Sequence, residues 1–479
     1  MAFAGCYTKS KKHPADGMSP PYTQPRSGNP ALAATRTLPG SPAVTPRPAF
    51  YLTAVFVFLV CARFPEIMDI VTGSALRSVR IAMVLVVLAL PFGADLRAAF
   101  SKVGVCLIGF TLWMCACVPF SIWRGGSART LRDSWAISLF SFVVIAAGVQ
   151  GLEQCRKIMY TMAAATVVIE IVTLVTGRLQ GGRIALLGGT LGNANYLALI
   201  LLMGLPFCLF VWRTKPGLSP LKFACLVMLL CTPVTISATG SRGGLVTLTL
   251  MFILYFWPLP SSQKVVVGIL ALILLVIAVA WSSRSALERF RTMFRATDGV
   301  ELSGSEKSAM ESADLRKDLL LASLRLTVRH PVLGVGPGMF SVANANYEEV
   351  TKGRSDYNAW HDTHNTFTQL SCEDGLPGLL LYCVAIGLCF KIARSAEKRA
   401  RQDPAMASLG HMAFTLRLAL IAFTGTAMFA GLAYAYYFPM LAGVCVAVDR
   451  ATAPQKSDAS PQAATTRVQF QPARNRPRA

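Results

Sequence analysis

At 479 residues the chain could hold about three ordinary soluble domains, but 53% hydrophobic against 15% charged residues is not soluble composition. Thirteen of the 22 net positive charges fall in the two tails and the 391–401 connector, where basic residues flank apolar runs as they do beside a membrane, so the charge implies no nucleic acid. Disordered, collagen-like and disulfide-scaffold classes are excluded for the chain as a whole, because most of the 13 cysteines lie in or beside apolar runs.

Residues 1–49 hold nine prolines among Ser, Thr, Gly and Lys and are expected to be a disordered tail, without the early apolar region of a cleavable signal peptide. Apolar runs follow at roughly 50–62, 79–93, 103–122, 134–150, 158–176, 191–212, 221–238, 243–257 and 264–281. After a polar stretch at 282–374 they resume at 375–392, 412–430 and 433–448, and 449–479 form a second basic tail. The expectation is an all-α polytopic membrane protein of about 12 transmembrane helices with one large outer-face loop carrying amphipathic helices. The first, eighth and last runs are short enough to be tilted, partial or merged.

Lys391, Arg394, Lys398, Arg399 and Arg401 in the KIARSAEKRAR connector, together with both tails, point to the cytoplasm, and an even span number satisfies all three. Parity then places the 282–374 loop on the outer face, along with the connectors holding Arg77 and Arg80 and Arg124, Arg129 and Arg132. Within that loop Leu315, Leu319, Ala322 and Leu326 recur at helical spacing over Ala309–Arg329, with Glu311 and Asp314 early, Arg325 and Arg329 late and Pro331 as a stop. This predicts an amphipathic helix whose leucine face rests on the spans.

Four places could carry chemistry. His364, where HDTHNTFTQLSCEDGLPG turns apolar, can act as a neutral base toward a hydroxyl or can simply cap the loop. His361 and His364 lack a third ligand of clear spacing, so no metal is expected. Arg242, in the ATGSRGGLV break between spans, suits a phosphate or diphosphate because small neighbours let an anion approach, or it snorkels to the boundary. Arg316 is one of four basic residues on the loop helix, and periodicity does not choose among them. Arg183, with Asn193 and Asn195 in GGTLGNANY, offers sugar-binding or helix-capping groups. Arg325, Asn365 and Glu373 complete the candidate substrate contacts.

RHPVLGVGPGMF from Arg329 to Phe340, followed by HNTFTQLSCEDGLPG from His364 to Gly378, resembles the motif pair of the O-antigen ligase and polymerase superfamily. GSRGG and GGTLGNANY before spans, and a single large outer loop, are similar to that family too. The resemblance, not the periodicity, selects Arg316, fourteen residues before His330. It places the loop histidine on His364 and the Ser-Arg-Gly arginine on Arg242. It further implies a metal-independent, GT-C-like glycosyltransferase of the inner membrane, with no cofactor and an undecaprenyl-diphosphate-linked glycan as donor. The acceptor would be a glycan, lipid A-core or a protein, as in polysaccharide polymerases, lipopolysaccharide ligases and protein O-oligosaccharyltransferases. The three arginine and histidine sites should then converge under the loop helix on a cavity open sideways to the lipid bilayer. A polytopic solute transporter is the rival reading; it would line a path at mid-membrane with its polar residues.

Overall fold

A computed structural model describes residues 48–72, 78–186, 189–291, 304–352, 361–403 and 406–453. Most of both expected tails, and Arg77, lie outside the described residues.

Backbone N–H and C=O groups in a hydrocarbon layer need partners within the chain, so apolar runs become helices. The chain opens with α1 (Pro48–Cys61), α2 (Phe64–Thr72), α3 (Ser78–Ala89) and α4 (Lys102–Cys117). Next, α5 (Arg124–Thr130) continues through a π-helical turn at Leu131–Trp135 into α6 (Ala136–Gly148), followed by α7 (Leu152–Thr176). A two-stranded antiparallel hairpin, β1 (Arg178–Gln180) and β2 (Arg183–Ala185), leads to α8 (Ala194–Thr214), α9 (Pro220–Ala238), α10 (Arg242–Phe256) and α11 (Ser261–Trp281). The polar stretch supplies α12 (Arg284–Arg291), α13 (Gly304–Arg329), α14 (Phe340–Lys352) and α15 (Thr366–Glu373). Three more helices, α16 (Gly375–Gln402), α17 (Ala407–Ala427) and α18 (Tyr437–Thr452), complete the described fold.

Eight stretches among the described residues are long and apolar enough to cross a membrane: Lys102–Phe120, Arg124–Gly148, Leu152–Thr176, Ala194–Thr214, Pro220–Ala238, Ser261–Trp281, Gly375–Gln402 and Ala407–Ala427. The protein is thus a multi-pass membrane protein, with eight full-length candidate spans among the described residues where about 12 were expected. The shortfall is one of length. Pro48–Cys61, Val79–Phe92 and Arg242–Phe256 are apolar but shorter, and α18 has 16 residues, whereas a bilayer core about 30 Å thick needs about 20 residues at 1.5 Å each. The hairpin is a departure from all-α; its turn rests on Gly181 and Gly182 at φ 55° and 76°.

The core centres on α8, which packs against α7, α9 and α17. Its Gly204 is required there: a Cβ would lie 2.1 Å from the Thr166 side chain of α7. Near the other side α18 is buried against α6 and α16. By contrast α11 packs on α9 and leaves Val265, Ile269, Ile273 and Val276 exposed, a surface suited to lipid tails.

Loop polarity separates the two ends. From Gly375 beside Glu373, α16 runs 28 residues, about 42 Å at its helical rise, to a cluster of Arg399 with Asp449 at 3.0 Å and Glu397 with Arg401 and Arg417 at 2.8 and 2.9 Å. Arg450, at the end of α18, pairs with Asp95 there. The basic connector and the His364 segment therefore occupy opposite ends of the bundle, and α5, which carries Arg124 and Arg129, is at the His364 end.

Candidate active site

The glycines of RHPVLGVGPGMF build the platform. Gly334, Gly336 and Gly338 have φ of 65°, 107° and 74°, backbone that side chains rarely adopt. The turn they form is wedged between the α4–α5 connection and the end of α15. Val335 N–H donates to Cys372 O at 2.8 Å, Gly336 N–H to Glu373 O at 2.9 Å, and Ile122 N–H to Val335 O at 3.1 Å. A Cβ on Gly334 would fall 2.3 Å from the Glu373 backbone, on Gly336 2.1 Å from Ser121 Oγ, and on Gly338 2.3 Å from Thr130 Oγ1. The turn thus packs against backbone at Gly334 and against hydroxyl side chains at Gly336 and Gly338, where no side chain of its own fits.

Beneath the turn, Glu373 and Asp374 are buried. Glu373 accepts from Phe340 N–H at 2.9 Å, and the Tyr434 hydroxyl lies 2.8 Å from Glu373 Oε2 and 2.7 Å from Asp374 Oδ2. Trp113 Nε1–H donates to Asp374 O at 2.7 Å. A phenol has one proton to give, so two ionised carboxylates cannot both be served, and one carboxyl keeps its proton. Burial pushes Glu373 up to about 7. Burial and the charge of Glu373 raise Asp374 well above the usual carboxylate range. Glu373, expected among the substrate contacts, is instead placed as a support for the turn, with both oxygens occupied by the protein.

The helix α13 carries Arg316 onto this platform. Its Leu319, Ala322 and Leu326 are buried with Val335, Met339, Phe340 and Cys372, and Thr327 Oγ1 lies 2.8 Å from Ser371 Oγ. The leucine face therefore rests on the glycine turn and α15, not directly on the spans as expected, because the turn fills the space between. The helix also starts at Gly304, ahead of the Ala309 expected from periodicity. Arg325 is exposed; nine residues make about two and a half turns, which puts it on the opposite face from Arg316.

His364 has φ 51°, one of two non-glycine residues in the left-handed region among those described. Such backbone costs about 1–2 kcal/mol and persists where surroundings fix it. Here they do. Asn365 caps α15, its Oδ1 accepting from Phe367 N–H at 2.9 Å and Thr368 N–H at 3.1 Å. Thr366 Oγ1 donates to Ala430 O at 2.7 Å and accepts from Leu432 N–H at 2.9 Å. The imidazole proton affinity is depressed to about 4, first by burial and then by the nearby charges of Arg316 and His361. His364 and Arg316 are therefore brought together from 48 residues apart in sequence.

Arg242 opens α10 behind Ser241, which caps the helix through Gly244 N–H at 3.2 Å. A Cβ on Gly243 would lie 2.5 Å from the Phe429 ring, and the carbonyl of neighbouring Met428 accepts from Asn365 Nδ2 at 3.4 Å. The Ser-Arg-Gly break and the His364 segment thus lean on one turn after α17. Arg183 donates from Nε to Thr239 O and from Nη2 to Asn195 Oδ1, both at 2.7 Å, and Asn193 Oδ1 caps α8 through Asn195 N–H at 2.9 Å. These three side chains knit the hairpin to the start of α8 and the end of α9, a role their residue types also allowed.

Two cavities stand out among the described residues, and neither is the expected one under α13. One is apolar, between Cys61, Met162, Met203, Phe207 and Tyr437; the other, at the opposite end, is lined by Lys102, Lys391, Asp449 and Arg450. No group of three or more His, Cys, Asp or Glu is placed to hold a metal among the described residues. Arg63, at the end of α1, was not singled out by sequence, although its burial with Glu66, Tyr436 and Tyr437 gives it a crowded polar setting. Its only signal was a cation directly after an apolar run.

Compared with known families, residues 223–383 match the family described as O-Antigen ligase. That segment runs from α9 into α16 and includes Arg242, Arg316, the glycine turn and His364. No curated protein matches the chain. The family match bears out the resemblance seen in the motifs: about a third of this multi-pass membrane protein, residues 223–383, is similar to the O-antigen ligase family.

Proposed function

We propose that the protein transfers or polymerises an undecaprenyl-diphosphate-linked oligosaccharide at the outer face of the bacterial inner membrane, both termini being cytoplasmic. His364 is the base and Arg316 and Arg242 hold the diphosphate. An acceptor hydroxyl attacks the anomeric carbon, the bond from that carbon to the diphosphate oxygen breaks, and polyprenyl diphosphate leaves. The hydroxyl proton passes to the imidazole and then to water.

The observation that carries the reading is the juxtaposition of a neutral His364 with the Arg316 cation. Alone, that imidazole is a weak base. A diphosphate on Arg316 adds negative charge and opposes one of the causes of its depression, so proton affinity rises when donor is bound. Transfer is thereby coupled to donor occupancy. Fixed guanidinium forks also stabilise the leaving diphosphate without a metal.

The test is transfer by the purified full chain in lipid, with polyprenyl-diphosphate-linked glycan as donor and glycan as acceptor. Polymer or ligated product is expected from the wild type and not from His364→Ala. Equal product from both would remove the base from His364, and no product with glycan, lipid A-core or protein acceptors would remove the transferase reading.

A further inference from the structure

Arg63 is the other non-glycine residue in left-handed backbone, φ 52°. Its guanidinium pairs with Glu66, donates from Nη1 to Thr190 Oγ1 at 3.2 Å and from Nη2 to the Tyr437 hydroxyl at 3.1 Å. Its Cζ lies 5.5 and 5.9 Å from the ring centroids of Tyr436 and Tyr437, which are 4.4 Å apart. Three buried atoms of the cluster are left over: Arg63 Nε, a donor, Glu66 Oε2, an acceptor, and the Tyr436 hydroxyl have no hydrogen-bond partner. The Arg63 and Glu66 side chains nonetheless keep 17% and 25% exposure, so the cluster borders an accessible surface although these atoms are covered.

Chemistry narrows what could reach it. The ion pair is neutral overall, which removes the advantage an anion would have at a lone arginine. A donor and an acceptor in one cluster, with aromatic faces adjacent, match the hydroxyl pairs and C–H faces of a saccharide. Unserved buried polar atoms are costly in any protein, and a ligand that serves them relieves that cost.

The place is also suitable. Tyr196, in the first turn of α8, is within electrostatic reach of Arg63, Tyr437 and Asp362, and Asp362 is two residues before His364. Tyr436 and Tyr437 also follow directly on the α17–α18 connection that Thr366 of the His364 segment holds at Ala430 and Leu432, so the cluster adjoins that segment and is distinct from the arginines assigned to the diphosphate.

We propose that Arg63, Glu66, Tyr436 and Tyr437 form a sugar-binding subsite that holds the acceptor saccharide beside His364. The inference rests on the transferase reading for the word acceptor, but sugar binding can be measured without transfer.

The experiment uses the full chain in lipid nanodiscs. The probe is the free oligosaccharide released by mild acid from the producing cell's polyprenyl-linked pool, which carries neither lipid nor diphosphate. Saturation-transfer NMR should show binding by the wild type, weakened at least tenfold in Glu66→Gln and Arg63→Lys. In the transfer assay the acceptor KM should rise at least tenfold, with kcat and donor KM within about twofold. Tyr436→Phe, which removes one hydroxyl, serves if the others do not fold, and should weaken binding measurably. Absence of wild-type binding, or variants that lose thermal stability while binding sugar as before, would overturn the subsite and leave the cluster as a tie between α2 and α18. Sugar binding without transfer would sink the transferase reading and leave the subsite standing.

Discussion

At position 364 the backbone and the charge environment act together. The left-handed conformation fixes where the imidazole can reach, and burial beside Arg316 keeps it unprotonated above about pH 4. Removing the ring in His364→Ala should lower transfer about 100-fold with membrane insertion unchanged; wild-type turnover by a well-expressed variant would contradict the role. Arg316→Ala should raise the His364 pKa from about 4 toward the ordinary 6.5, because a cation that opposes protonation is gone. Histidine-selective NMR titration without donor reads this directly, and an unmoved pKa would separate the two residues. Lysine at 316 or 242 should raise the donor KM more than tenfold, since a point charge lacks the bidentate fork.

Among the elements, the glycine turn has the least tolerance. Gly336→Ala combines φ 107° with a Cβ 2.1 Å from Ser121 Oγ, a double fault worth about 2–5 kcal/mol. Ser121→Gly in the same chain should recover the steric part and not the dihedral part; thermal unfolding of the single and double variants distinguishes them. The helices were legible because apolar runs of near-bilayer length leave few alternatives, and the three runs flagged as short are α1, α10 and α18. The hairpin was not, since three-residue strands in RLQGGRIA carry no usable alternation. Nor was the role of GVGPG as a wedge, because what its glycines avoid comes from Ser121, Thr130 and Glu373, far off in sequence. Arg316 was reached by family resemblance; the fold then placed it beside His364 on physical grounds. Arg63 was passed over because its partners, Tyr436 and Tyr437, arrive some 370 residues later.

Across the whole molecule, the layer over the spans is clamped by a buried carboxyl pair bridged by Tyr434, one of which keeps its proton. Glu373 is raised from 4.5 to about 7 and Asp374 well above the usual carboxylate range, so the folded state binds protons the unfolded chain has already released. That stabilisation is complete below about pH 4 and is lost as pH rises through about 7 and beyond. Hydrogen exchange at Phe340 and Gly336 should accelerate over that window, and Glu373→Gln, which cannot ionise, should flatten the dependence; an unchanged profile would argue against a retained proton. The two-ended arrangement predicts that impermeant maleimide labels His330→Cys in intact cells but Ser395→Cys only after permeabilisation, both in a background lacking the exposed Cys115. Tyr434 closes the clamp, and it follows Arg242, Arg316 and His364 in the chain. During synthesis a nascent protein therefore delivers every residue of the proposed transfer chemistry before it can lock the layer that holds them, so a ribosome stalled ahead of Tyr434 leaves an inserted chain with its chemistry assembled in sequence and unfastened in space.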